Sequence, residues 1–126
     1  MGSWGVIGLV TPGVDVDVLV TGDRAIVALN GDIDISTAAE VRERLVGLIA
    51  RGVRHLLVNL EQTAYIDAMG VDVLLRAFKL LSAHGGTFSM ACPHDHLAKV
   101  FRVSSLSSAL AVYPSLQEAS VHFSQG

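Results

Sequence analysis

The chain has 126 residues, of which 51% are hydrophobic and 17% are charged, as expected for one folded domain rather than a disordered segment. Its formal net charge is −3 and its nine basic residues are scattered, which argues against nucleic acid or an anionic membrane as the main partner. Charge or glycine interrupts every apolar stretch before the roughly 20 residues of a membrane span, and the N-terminus lacks the positive region of a secretory signal, so we expect a soluble, cytoplasmic protein.

The start of the chain predicts a short lead-in followed by a β-hairpin. Residues 1–13 are rich in glycine and have no hydrophobic period, so we place a single domain at residues 14–123. Val14 to Val20 alternates apolar and polar residues, which is typical of a half-buried strand. Thr21-Gly22-Asp23-Arg24 supplies turn chemistry, and Ala25 to Leu29 is the second predicted strand.

Helices and strands alternate through the rest of the chain. The first predicted helix has Ser36 or Thr37 as its N-cap and runs to about Ala50, with Gly52 following it as a C-terminal stop. The later predicted elements are the strand His55–Leu60, a helix from Ala68 to about Ala83, the strand Thr87–Ala91, a helix from His94 to about Val103, the strand Ala109–Tyr113 and a helix from Pro114 to about Phe123. This β-β-α-β-α-β-α-β-α order predicts a single α/β domain with a mixed, largely parallel central sheet and helices packed on it.

The sequence offers little for catalysis or metal binding. Cys92 is the only cysteine, so neither an intrachain disulfide nor a site built on several thiolates can form. We predict that Cys92 is buried in a strand. His94 and His96 flank Asp95, but residues two apart on a helix do not share a face. No nucleophile elbow or phosphate-binding glycine loop is present. We therefore expect a protein that is not an enzyme and that has no cofactor.

Two short segments carry a family resemblance. Gly31-Asp32-Ile33-Asp34 leaves the second strand, and Ile66-Asp67-Ala68-Met69-Gly70 begins the helix after the central strand. At this separation and in this β/α order, the pair resembles the STAS domain (sulfate transporter and anti-sigma factor antagonist), whose elements there read Gly-Glu-Leu-Asp and Asp-Ser-x-Gly. The resemblance covers about residues 14 to 123.

The resemblance implies a regulatory module that acts by stoichiometric binding. Its partner would be an anti-sigma factor with a serine-kinase ATPase fold, which releases a sigma factor when the module binds. The residues that would contact this partner are Asp32, Asp34, Asp67, Met69, Gly70 and Val73. No nucleic acid or membrane partner is expected, and a homodimer is left open.

Each of these residues also has a structural interpretation. We rank helix capping above any other role for Asp67, and a solvated turn slightly above partner contact for Asp32 and Asp34. Gly70 is expected to let the partner backbone approach closely. The predicted inward face of the helix is formed by Val71, Leu74, Leu75, Phe78 and Leu81. Met69 and Val73 then lie exposed, unless the neighbouring helix covers Val73.

Ala68 stands where regulated members of the family have a serine that the partner kinase phosphorylates, and its methyl group cannot accept phosphate. Three interpretations are open: a constitutive antagonist, control by another route, or an engineered alanine, and we favour the first two together. Two other functions are also open, a ligand- or nucleotide-sensing STAS domain and a STAS component of an anion transporter.

Overall fold

The computed structural model describes residues 13–104 and 110–125. Within these residues the elements are β1 Asp15–Thr21, β2 Arg24–Asn30, α1 Ala38–Ala50, β3 His55–Asn59, α2 Ala68–Ala83, β4 Thr87–Ala91, α3 Asp95–Ser104, β5 Ala111–Tyr113 and α4 Leu116–Gln125. The order predicted from the sequence is confirmed. The predicted lead-in, apart from Gly13, and the predicted strand residue Ala109 lie outside the described residues.

The strands form one mixed sheet in the order β1-β2-β3-β4-β5. β1 runs antiparallel to β2 through a turn at Gly22, whose φ of 62° is one that glycine adopts without strain. The other neighbours are parallel, and Ala28 near the end of β2 lies beside Asn59 at the end of β3. The loops that follow β2 and β3 therefore leave the sheet side by side at one edge.

The main core lies between one face of the sheet and the helices α1, α2 and α3. Alternate residues of β2, including Val27 and Leu29, are fully buried on this face. Leu74 of α2 and Phe101 of α3 are buried in the same cluster, where each such side chain contributes roughly 1.5–3 kcal/mol to folding. The smaller opposite cluster, around Leu57, is covered by α4. In the described part of the chain, no helix is both long and apolar enough to cross a bilayer.

The buried face of α2 is wider than predicted. Leu74, Phe78 and Leu81 are buried, and the other two residues predicted to point inward are half-buried. Val73 is only 8% exposed, because α1 packs against α2 on that side. The predicted exposure of Val73 is therefore wrong and the alternative, cover by the neighbouring helix, is right. Helical periodicity predicts which side of a helix faces its main packing partner. It does not show whether another element also covers the adjacent side of the helix.

Candidate functional site

The loops after β2 and β3 are joined by backbone hydrogen bonds. The Ile33 N–H donates to the Tyr65 carbonyl at 3.0 Å, and the Asp67 N–H donates to the Ile33 carbonyl at 3.0 Å. These bonds make a short parallel bridge between Ile33 and Ile66 beyond the ends of the two strands. The two segments that carry the family resemblance are thus one structural unit, although they are far apart in sequence.

Asp67 connects this unit to the beginning of α2. One carboxylate oxygen, Oδ1, accepts a hydrogen bond from the Gly70 N–H at 3.0 Å, so the predicted capping role is confirmed. The other oxygen, Oδ2, accepts from the Ile35 N–H at 3.1 Å, in the loop after β2. A single carboxylate therefore caps the helix and fixes the neighbouring loop.

Asp34 organises the turn that precedes α1. Its Oδ1 accepts from the Ser36 hydroxyl at 2.6 Å and from the Ser36 N–H at 2.9 Å. These bonds, led by the one from the Ser36 side chain, hold the pKa of the Asp34 carboxyl below its usual value of 3.8.

The predicted capping of α1 by Ser36 or Thr37 is only partly right. Thr37 occupies the N-cap position but makes no side-chain cap hydrogen bond. Its hydroxyl instead accepts from the Asp34 N–H at 3.0 Å and donates to the Asp32 carbonyl at 2.9 Å, so Thr37 braces the loop. The Asp34 carboxylate accepts from the Ser36 N–H, two positions ahead, while the Thr37 and Ala38 N–H groups donate to the Asp34 backbone carbonyl.

Gly70 is buried, and its neighbours belong to this chain. A Cβ atom added there would lie 2.7 Å from the Ile33 carbonyl oxygen and 2.6 Å from the Ile66 side chain. The backbone that approaches Gly70 closely is thus the loop after β2, whereas the sequence suggested a partner backbone. The lack of a side chain at Gly70 lets the loop after β2 pack directly against the first turn of α2.

Two apolar side chains stand out from the surface around this unit. Ile35 is 75% exposed and Met69 is 50% exposed, and both line one shallow groove of about 280 Å³ between α1 and α2. The buried Val73 lines the same groove, and an ion pair of 2.6 Å between Asp72 and Arg76 borders it. We call Ile35, Met69 and this groove the apolar patch.

The remaining predicted site residues are both exposed. Ala68 is exposed as the first residue of α2, and Asp32 is exposed in the loop after β2. Sequence reasoning missed Ile35 and the exposed Tyr65. The available signal was a large apolar residue placed within a polar loop. Among the described residues, no group of three or more His, Cys, Asp or Glu side chains is placed to hold a metal ion.

Comparison with known proteins gives consistent results. The family model described as the STAS domain matches residues 15–119. An anti-sigma-B factor antagonist of Bacillus subtilis is 27% identical over 99 residues, which cover 79% of this chain and 90% of that protein. The anti-sigma factor antagonist SpoIIAA in its unphosphorylated form is 21% identical and superposes with a TM-score of 0.72 over 90% of this chain and 98% of that chain. An anti-sigma factor antagonist from Mycobacterium paratuberculosis is 18% identical with a TM-score of 0.71 over 88% of this chain and 94% of that chain, so both structures share the fold.

Proposed function

The chain belongs to the STAS domain family, and from that membership we propose that it is an anti-sigma factor antagonist. It binds an anti-sigma factor stoichiometrically in the cytoplasm and thereby frees a sigma factor for transcription. The names of its relatives support this function, because they describe antagonists of an anti-sigma-B factor and do not favour a ligand sensor or a transporter component. The observation that carries the proposal is the apolar patch, which lies beside the loops that Asp67 joins.

The apolar patch has the arrangement of a protein-binding surface. Ile35 and Met69 are exposed side chains on a rigid base, because hydrogen bonds fix the backbone on either side of Ile35. Interfaces draw most of their binding energy from a few such anchors within a polar rim. Asp32 and Asp34 lie in the adjoining loop, and Arg42 and Arg76 line the groove, so charges of both signs surround the patch and favour a partner surface of complementary, mixed charge.

We propose that the partner has a serine-kinase ATPase fold. Ala68 lies at the exposed first turn of α2, which is the position that such a partner would phosphorylate if it were a serine. A phosphate there would put about two negative charges beside the Asp67 carboxylate, and like-charge repulsion would disturb the loop that Asp67 holds and so weaken binding. Because a methyl group cannot be phosphorylated, this antagonist stays competent to bind, and any control acts elsewhere.

We propose binding without catalysis, since the polar groups of the site are already occupied by structural hydrogen bonds. Both carboxylate oxygens of Asp67 accept backbone N–H groups, and the Asp34 carboxylate accepts from Ser36. These hydrogen bonds hold the pKa of the Asp34 carboxyl below its usual value, so this carboxylate is poorly suited to remove a proton from a substrate.

The test is a titration with anti-sigma factors of the kinase fold, with and without ATP. The native chain is expected to bind equally in both conditions, whereas Ala68→Ser should gain one phosphate with ATP and then lose binding. Ala64→Ser is the matched control, since Ala64 is also exposed but precedes the helix. If neither the native chain nor Ala68→Ser binds any such factor, the proposed function is wrong. If the native chain binds but Ala68→Ser is not phosphorylated, the proposed kinase activity of the partner is wrong.

A further inference from the structure

β1 is an edge strand with an apolar surface. It pairs with β2 on one side, and in the described residues no strand pairs with its other side. Val18, Leu19 and Val20 are 37%, 66% and 49% exposed along this edge. The free N–H and C=O groups of an edge strand can pair with another strand. Edge strands therefore usually carry charged residues or proline, or are covered by another segment, which prevents such pairing.

Only the beginning of β1 has such cover. The Arg44 guanidinium on α1 donates to the Val16 carbonyl at 3.3 Å. In the described structure, no side-chain hydrogen bond of this kind reaches the segment from Val18 to Val20. The exposed edge and the exposed apolar side chains therefore coincide.

We propose that a second copy of this chain pairs its own β1 antiparallel to this edge, about a two-fold axis at Val18. Val18 is the midpoint of the seven-residue strand, so this register places every residue of β1 opposite a residue of the second copy. The Val16 carbonyl, which accepts from Arg44, has a second lone pair for the N–H of the opposing Val20. Asp17 then lies opposite Leu19 of the second copy, and Asp15 lies opposite Thr21 of the second copy. No carboxylate faces another carboxylate, so the register avoids the like-charge pairs that destabilise cross-strand contacts.

The helix beside the edge is complementary to itself about the same axis. Val18, Glu43, Gly47 and Arg51 line a groove of about 470 Å³ between β1 and α1. An axis that passes near Gly47 brings Glu43 toward Arg51 of the second copy, and Arg51 toward the second copy's Glu43. A Cβ added at Gly47 would meet no atom within 4 Å, so the middle of this face has room for a neighbour. This reciprocal pairing is what a two-fold homodimer interface requires.

This charge pattern favours a second copy over an unrelated strand as the occupant of the edge. A foreign strand could satisfy the backbone of β1, but it would match Glu43 and Arg51 only by chance. None of these residues belongs to the apolar patch or to the loops that Asp67 joins. The inference therefore stands apart from the proposed function.

The first experiment measures the oligomeric state of the full chain by sedimentation from about 1 µM to about 1 mM. We expect a concentration-dependent dimer. Val18→Lys should raise its dissociation constant at least about tenfold, because two ammonium groups would meet at the axis. Val121→Lys is the control, since Val121 is 53% exposed on α4 and lies away from the edge. A chain that stays monomeric throughout, or a dimer insensitive to Val18→Lys, overturns the proposal.

Four further variants keep the test valid even if Val18→Lys folds poorly. Glu43→Arg, at an exposed position of α1, and Arg51→Glu, at the exposed residue just after α1, should each weaken the dimer several-fold, and the double variant should restore it. Val18→Cys should oxidise to a disulfide-linked dimer, because Val18 faces its own copy and Cys92 is buried. Absence of both the restoration and the cross-link overturns the proposed register.

Discussion

Asp67 and Ile35 are 32 positions apart in the sequence, yet the Asp67 carboxylate accepts a hydrogen bond from the Ile35 N–H at 3.1 Å. The other oxygen of the same carboxylate caps α2 through the Gly70 N–H. The position of the exposed Ile35 side chain, in the loop after β2, is therefore fixed by the N-cap residue of α2. Asp67 is a structural residue that sets the shape of the proposed interface.

Asp67→Ala is expected to lower the free energy of unfolding by about 1–3 kcal/mol, because it removes the cap and leaves two N–H groups without their acceptor. Urea denaturation measures this loss. Asp32→Ala is the matched control and should change stability by less than about 0.5 kcal/mol, since its carboxylate is exposed. Equal stabilities for the two variants would contradict the bridging role of Asp67.

Gly70→Ala should destabilise the domain by about 1–3 kcal/mol, because the added methyl group would overlap the Ile33 carbonyl and the Ile66 side chain. Gly47→Ala, on α1, is the control with the opposite sign. Its methyl group would enter open space, so alanine should stabilise the helix by about 0.5–1 kcal/mol. Thermal unfolding at a low protein concentration compares the two, and a neutral Gly70→Ala would show that the loops do not pack as described.

Ser36→Ala should raise the pKa of the Asp34 carboxyl toward 3.8, because it removes the side-chain hydrogen bond that contributes most to the depression. A carboxyl whose folded pKa is depressed adds stability above its unfolded pKa and loses it as the pH falls through the folded pKa. The native chain should therefore lose this contribution to its stability below about pH 4. Ser36→Ala should lose less stability over the same pH range, because its Asp34 pKa is less depressed.

An NMR titration of the carboxyl carbons from about pH 6 to about pH 2 checks this shift directly. Ser82→Ala, at an exposed position near the end of α2, should leave the titration of Asp34 unchanged. An unchanged Asp34 midpoint in Ser36→Ala would show that Ser36 does not perturb this carboxyl.

Ile35→Ala and Met69→Ala should each weaken binding to the anti-sigma factor about tenfold or more, which corresponds to about 1.4 kcal/mol or more. Both side chains are at least half exposed, so the variants should unfold at nearly the native temperature. Calorimetric titration measures the affinity, and Val121→Ala, on α4, is the control. Native affinity in both variants would place the interface elsewhere.

The order of elements could be predicted from the sequence because strand alternation and helical periodicity are local patterns. His55 to Asn59 forms the central strand as the continuous apolar run predicts. The capping role of Asp67 could also be predicted, since an Asp before an apolar helix is a local signal.

The contacts between the loops could not be predicted in the same way. The partner of Asp67 in the loop after β2 depends on the sheet register, which places the ends of β2 and β3 side by side. The role of Gly70 and the burial of Val73 depend on which segments pack above them. Residue type shows that a position is small or apolar, but only the tertiary structure shows which segment packs against it.

The bridge between Ile33 and Ile66 has a consequence for how the proposed interface could be isolated. Each described bond that fixes the two loops to each other joins segments about thirty or more residues apart. A synthetic peptide that spans only the beginning of α2 would carry Met69 but none of the bonds that hold Ile35 beside it. Such a peptide would have to pay the ordering entropy of its own backbone on binding, so mimicry of this surface requires the folded sheet as its scaffold.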